Sequence, residues 1–207
     1  WRDAKKLRDI GLKVIRNAHC PQDPAFMDAC DELGLFVIDN VPGWQFWNKK
    51  DPRFEQYVYE DIRNLVRRDR NHPSVVGWSA GNETFAIALL NKPPKEVAAK
   101  WDDKLVEMTL TALKHDPTRD FITLDGDRDM DGRLPVWSKH FGHNLEIFNL
   151  PKDAKKPLIV GESGATYYGR PIQLYPFAGE RAFECYEGRN EALAIDVFQN
   201  ARYMAQP

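Results

Sequence analysis

One stretch constrains this chain more than any other: SVVGWSAGNE at 74–83. Its start is a near-continuous apolar run, the pattern of a strand buried on both faces of a parallel sheet. Parallel neighbours need crossovers, usually helices, so strands and helices should alternate along the chain. Residues 1–10 (WRDAKKLRDI) read as an amphipathic helix broken by Gly11, and LKVIRN at 12–17 as a strand. PAFMDACDEL at 24–33 reads as a helix with Gly34 as its stop, and LFVID at 35–39 as the next strand. A loop rich in Pro, Gly and Trp (40–52) leads to a helix over about 53–70, which Asn71-His72-Pro73 ends. After 74–83 the pattern predicts a helix over 95–114 and strands at 120–125, 135–141 and 157–162. A last amphipathic helix is expected at 188–204. The expectation is an α/β fold of βαβ units, with an irregular stretch around the fifth strand.

Composition removes several classes. Lys and Arg number 29 against 31 Asp and Glu, a net charge of -2, which argues against non-specific nucleic-acid binding. The apolar runs fall far short of the ~20 residues that span a bilayer, so no membrane partner is expected. No charged-then-apolar leader opens the chain, and Trp1 is not a natural start, so the sequence reads as a piece of a longer protein. Cys20, Cys30 and Cys185 are too few and too scattered for a disulfide scaffold, and each is expected to serve as a small buried hydrophobe. The basic run Arg63, Arg67, Arg68, Arg70 is expected on a solvated helix face.

Polar residues gather just beyond the carboxyl ends of the strands, the edge where parallel α/β folds bind ligands. Arg16 and His19 follow the first strand and Asp39 the second. Asn82 and Glu83 follow the third, Asp125 and Asp127 the fourth, His140 and His143 the fifth, and Glu162 the sixth. Glu83 and Glu162 each end an apolar strand near a glycine, Gly81 or Gly161, where the backbone could turn tightly against a ligand. Burying a carboxylate there is costly without a purpose or a partner. Two carboxylates of unequal pKa are the means of glycoside hydrolysis, one giving a proton to the leaving oxygen and the other attacking the anomeric carbon. The alternative at this stage is that both are structural ion pairs with Arg16 and its neighbours.

The chain resembles glycoside hydrolase family 2, the retaining β-galactosidases, β-glucuronidases and β-mannosidases, in its catalytic barrel. IGLKVIRNAHCPQDPAFMDACDELGLFVID (10–39) is similar to the family's second strand, Arg-x-x-His-x-Pro motif, helix and third strand. RNHPSVVGWSAGNE (70–83) resembles its acid/base motif, and KPLIVGESG (156–164) its nucleophile strand. The resemblance runs through most of residues 1–165 and implies a (β/α)8 TIM barrel, incomplete, with about six of eight strands present, strands two to seven. It implies Glu83 as general acid/base, Glu162 as nucleophile, and Asn82 on the sugar 2-hydroxyl. Arg16 would lie against the nucleophile, His19 would face a sugar hydroxyl, and His140 would take the strand-six position. No cofactor is implied. The partners implied are a carbohydrate substrate and the missing strands and accessory β-domains of the parent chain, with self-association of these 207 residues alone. A β-galactosidase is the favoured specificity.

The sequence departs from the family in two places. The third strand ends Ile-Asp-Asn-Val-Pro (38–42) where an acidic residue followed by Ala-Asn is usual, and the fifth visible strand lacks a tyrosine. In the 40–50 loop, Trp44 and Trp47 are candidates for stacking on a sugar face. Asp127, Asp129 and Asp131 fit the opening of a calcium loop, but the twelfth position is Ser138 rather than Glu, so the full pattern fails. The rival readings are a metal-dependent barrel hydrolase using His19, His140 and His143, and a carbohydrate-binding domain without activity.

Overall fold

The computed structural model describes residues 1–42, 51–84, 95–98, 100–126, 132–140, 155–162 and 179–181. The chain divides into two compact units, residues 1–139 with 153–161, and residues 140–152 with 162–207.

In the first unit strands and helices alternate: α1 (Arg2–Asp9), β1 (Val14–Arg16), α2 (Pro24–Leu33), β2 (Phe36–Asn40), α3 (Phe54–Asp69) and β3 (Val75–Asn82). They continue with α4 (Lys95–Ala98), α5 (Trp101–His115), β4 (Ile122–Asp125), β5 (Trp137–His140) and β6 (Leu158–Glu162), the last residues of β5 and β6 belonging to the second unit. Every strand expected from the sequence is present to within two residues. The expected helix over 95–114 is instead a single turn, α4, followed by α5. Lys100, at φ -110° and ψ 16°, leaves the helical region between them. Local signals explain the best-defined helix. Asp23 caps α2 by accepting the Ala25 N–H at 2.8 Å, Pro24 opens it, and Gly34 closes it at φ 66°, a conformation that carries little strain only for glycine.

β1, β2, β3 and β4 form a parallel sheet in that order. β5 and β6 form a separate two-stranded sheet. A main-chain bond from Gly126 N–H to Ser138 O, 3.2 Å, links the end of β4 to β5. The register sorts side chains by face, because partners across a parallel pair point the same way. Asp39, Trp78 and Ile122 are aligned and face the helices, where the Trp78 indole N–H donates to Asp116 beyond α5 at 3.1 Å. Val37, Val75, Ile122, Leu124, Val58, Ile62 and Leu105 fill that sheet–helix layer. Arg16 aligns with Ile38, and Asn40 with Ser79, on the opposite face.

Two expectations change. Cys30 is buried, and burial foremost pushes its thiol pKa up to about 11, but Cys20 is exposed on the turn after β1 and is no part of a core. Cys185 lies outside the described residues. The basic run is not all solvated. Arg68 pairs with its buried neighbour Asp69 at 2.7 Å and also donates to the Gln22 carbonyl at 3.0 Å, and Arg70 donates to the His115 carbonyl at 3.3 Å, so two of its four cations fasten the end of α3 to what surrounds it.

Candidate active site

The polar face of the first unit is built around Arg16, at the end of β1. Its side chain is only 9% exposed, and its Nε–H donates to Asp125 Oδ2 at 2.9 Å. Its two other nitrogens reach further. Nη1 donates to the Gly161 carbonyl at 3.4 Å, and Nη2 donates to Asn82 Oδ1 at 2.5 Å and lies 3.4 Å from His19 Nδ1. Gly161 is the residue directly before Glu162 in the sequence. Arg16, His19 and Asn82, read separately from three positions in the sequence, are thus brought together.

Asn82 reaches Arg16 because β3 is irregular. Between Ser79 and Asn82 the strand carries one residue more than β4 does between Thr123 and Asp125. This bulge turns Asn82 onto the face of Ser79, where simple alternation would have sent it to the helices. Glu83 follows at φ 47°, a left-handed conformation uncommon outside glycine, with its N–H bonded to the Asp125 carbonyl at 2.7 Å. Strain of this kind persists only where its surroundings enforce it, and it gathers at functional sites. The expectation for Gly81 is a tight backbone turn against a ligand. A Cβ there would instead meet Thr84 Cγ2 at 2.9 Å and Leu124 Cδ1 at 3.0 Å, so its bareness serves packing.

His140 and Glu162 belong to the second unit. The His140 ring nitrogen Nδ1 lies 3.8 Å from the Glu162 carboxylate, with the two side chains 4% and 17% exposed. Trp44, Trp47, Asp127, Asp129, Asp131 and His143 lie outside the described residues, and with them the stacking and calcium expectations.

Three polar residues carry more of this arrangement than their sequence context suggests. Asp125 accepts from Ser79 Oγ as well as from Arg16, and from Ser138 Oγ at 2.6 Å. Their only signal in the sequence is a hydroxyl within an apolar strand (VGWSAG and PVWSKHF) and an acid at a strand end.

A parallel α/β chain with its ionisable groups gathered beyond the carboxyl ends of the strands is the plan of a barrel enzyme. The family profile "Glycosyl hydrolases family 2, TIM barrel domain" matches residues 1–176, and the chain belongs to that family. Human β-glucuronidase is 39% identical over 187 aligned residues, covering 79% of this chain and 27% of that protein. A β-galactosidase of Halalkalibacterium halodurans is 32% identical over 173 residues, covering 76% and 16%. A solved family 2 member from Bacteroides cellulosilyticus superposes with a TM-score of 0.61 at 26% identity over 88% of this chain and 23% of that one. Bacteroides uniformis β-glucuronidase, at 23% identity and a TM-score of 0.65 over 82% of this chain and 23% of its own, bears on the fold alone. The chain therefore spans less than a third of each of these relatives. The fold class is a (β/α)8 TIM barrel, incomplete: six strands are present among the described residues, against eight in a closed barrel.

Proposed function

We propose that the protein is a retaining β-glycosidase working by double displacement. Glu162 attacks the anomeric carbon and forms a glycosyl ester, while Glu83 protonates the departing oxygen. Glu83 then takes a proton from the water that hydrolyses the ester. The observation that carries this reading is Glu83 itself. It sits in a strained conformation just after β3, a strand buried at all but one position, fixed by the Asp125 carbonyl and next to an asparagine that Arg16 orients. In the same reading Asn82 meets the 2-hydroxyl, His19 another sugar hydroxyl, His140 lies beside the nucleophile, and Trp44 and Trp47 offer a stacking face. No cofactor takes part.

Relatives named β-galactosidase and β-glucuronidase support a galactoside and a glucuronide equally, and the family resemblance adds a mannoside. The deciding experiment presents the full-length protein with aryl β-galactoside, β-glucuronide and β-mannoside, and follows the anomer first released by proton NMR. Release of the β-anomer from one of them is expected. Hydrolysis of none, with sugar still bound, would favour a binding domain, and release of the α-anomer would show inversion.

A further inference from the structure

The reaction proposed above makes no use of Asp125, which ends β4 and is fully buried. Both of its carboxylate oxygens are engaged, Oδ2 by Arg16 Nε–H and Ser79 Oγ, Oδ1 by Ser138 Oγ. Its main-chain carbonyl separately accepts the Glu83 N–H. Side chains from β1, β3 and β5 thus converge on one carboxylate, whose own peptide holds the residue that follows β3. A buried carboxylate so completely supplied with donors is a fixed point, and Arg16 is aimed from it.

The aim matters because of what lies at the far side of the guanidinium. Arginine has donors and no acceptor, so the Asn82 atom 2.5 Å from Nη2 must be the amide oxygen. The Asn82 NH2 is thereby the end left to meet anything else. We infer that Asp125 is a positioning residue which, through Arg16, dictates that Asn82 offers a donor rather than an acceptor to the substrate hydroxyl beside it. This rests on the glycosidase reading for the identity of that hydroxyl, the 2-hydroxyl, and on the structure for everything else. A contact of this kind strengthens as charge develops at the neighbouring anomeric carbon, so its loss belongs to the transition state.

The test uses full-length Asp125→Asn, an isosteric change that removes the anion. On the glycoside that the wild type hydrolyses best, kcat/KM should fall about 10²-fold, mostly in kcat, as expected when a reacting contact is misplaced. On the 2-deoxy analogue the fall should be under about tenfold, because the contact is already missing. Equal falls on both substrates, or no fall, would overturn the inference. Should Asp125→Asn not fold, Ser138→Ala removes one donor and keeps the carboxylate, and a few-fold fall confined to the parent sugar is expected, an equal fall on both being the contrary result. A crystal structure of the variant gives an answer that needs no turnover. Arg16 displaced from Asn82 agrees with the inference, and an unmoved Arg16–Asn82 pair contradicts it, whereas failure of the wild type on every glycoside would count against the glycosidase reading alone.

Discussion

Arg16 and Asn82, 66 positions apart in the chain, meet through a single hydrogen bond of 2.5 Å from guanidinium to amide oxygen. The bond joins the first strand of the sheet to the third across the second. It exists because a bulge swings Asn82 onto the face that Arg16 occupies. Glu83, the next residue, inherits both the bulge and the anchor.

The roles proposed for the glutamates predict separable losses. Glu162→Gln should abolish turnover, since an amide cannot form the glycosyl ester. Glu83→Gln should spare aryl glycosides with good leaving groups and cripple those with poor ones, because only the latter need a proton. Comparable losses on both leaving groups would remove Glu83 from the acid role. A crystal structure of the full-length protein should find the two carboxyl groups roughly 5–5.5 Å apart, and a separation near ~9 Å would point to inversion.

Asp39 predicts a pH dependence of stability. The side chain is fully buried, with Asn17 Nδ2 donating to Oδ1 at 3.1 Å and, among the described residues, no hydrogen-bond partner on Oδ2. Burial first, and the adjacent Asp69 carboxylate second, push its pKa up to about 7, with Asn17 and Arg68 opposing. Between the ordinary carboxylate value and about 7 the folded chain holds a proton that the unfolded chain has lost. Asp39 therefore stabilises the fold less and less as pH rises through that window, and its contribution levels off above it. The difference in melting temperature between wild type and Asp39→Asn, measured at about pH 5 and about pH 8, should shift in favour of the variant at the higher pH. A difference independent of pH would show that Asp39 is ionised throughout.

Gly81 predicts a packing penalty. Gly81→Ala should cost about 1–3 kcal/mol, because its methyl would press on Thr84 and the fully buried Leu124. Adding Thr84→Ser deletes the closer of the two obstacles and should restore part of the loss in urea unfolding. A neutral Gly81→Ala would mean that the bulge yields, and with it the account of why glycine stands there.

β1 predicts association. It is an end strand of its sheet, and the aligned pair Val14 and Phe36 at its start are 51% and 49% exposed. Unpaired edges with apolar neighbours invite a second chain. The 207 residues expressed alone should sediment above monomer mass at micromolar concentration, and Val14→Lys should reduce this. They should also show little or no glycosidase turnover, in contrast to the full-length protein. A clean monomer in sedimentation velocity would rule the association out.

Much of the fold was legible because the strands are short apolar runs and the helices carry caps and stops that report their ends, as Asp23, Pro24 and Gly34 do for α2. The break between α4 and α5 was not, since the sequence KEVAAKW carries no Gly or Pro to mark the departure from helical geometry at Lys100. Arg16, Asn82 and Glu83 were legible as polar residues gathered at strand ends. Their connection through Asp125, Ser79 and Ser138 was hidden, because a serine in a strand looks the same whether it faces a core or a buried carboxylate. The reason for Gly81 was misread for a related cause: a glycine near a site does not say which side of the strand is crowded.

The extra residue that β3 carries between Ser79 and Asn82 has a consequence for how such a chain can change. Below it, Val75 and Trp78 answer to the sheet–helix layer; above it, Asn82 and Glu83 answer to Arg16 and Asp125 and, in the proposed function, to the substrate. Because the strand is out of step with itself between these halves, its lower part can be repacked without re-aiming the upper. The upper part can be re-aimed without disturbing what holds the domain together. Removing that one residue would fuse the two obligations, and every later substitution in the strand would have to satisfy both at once.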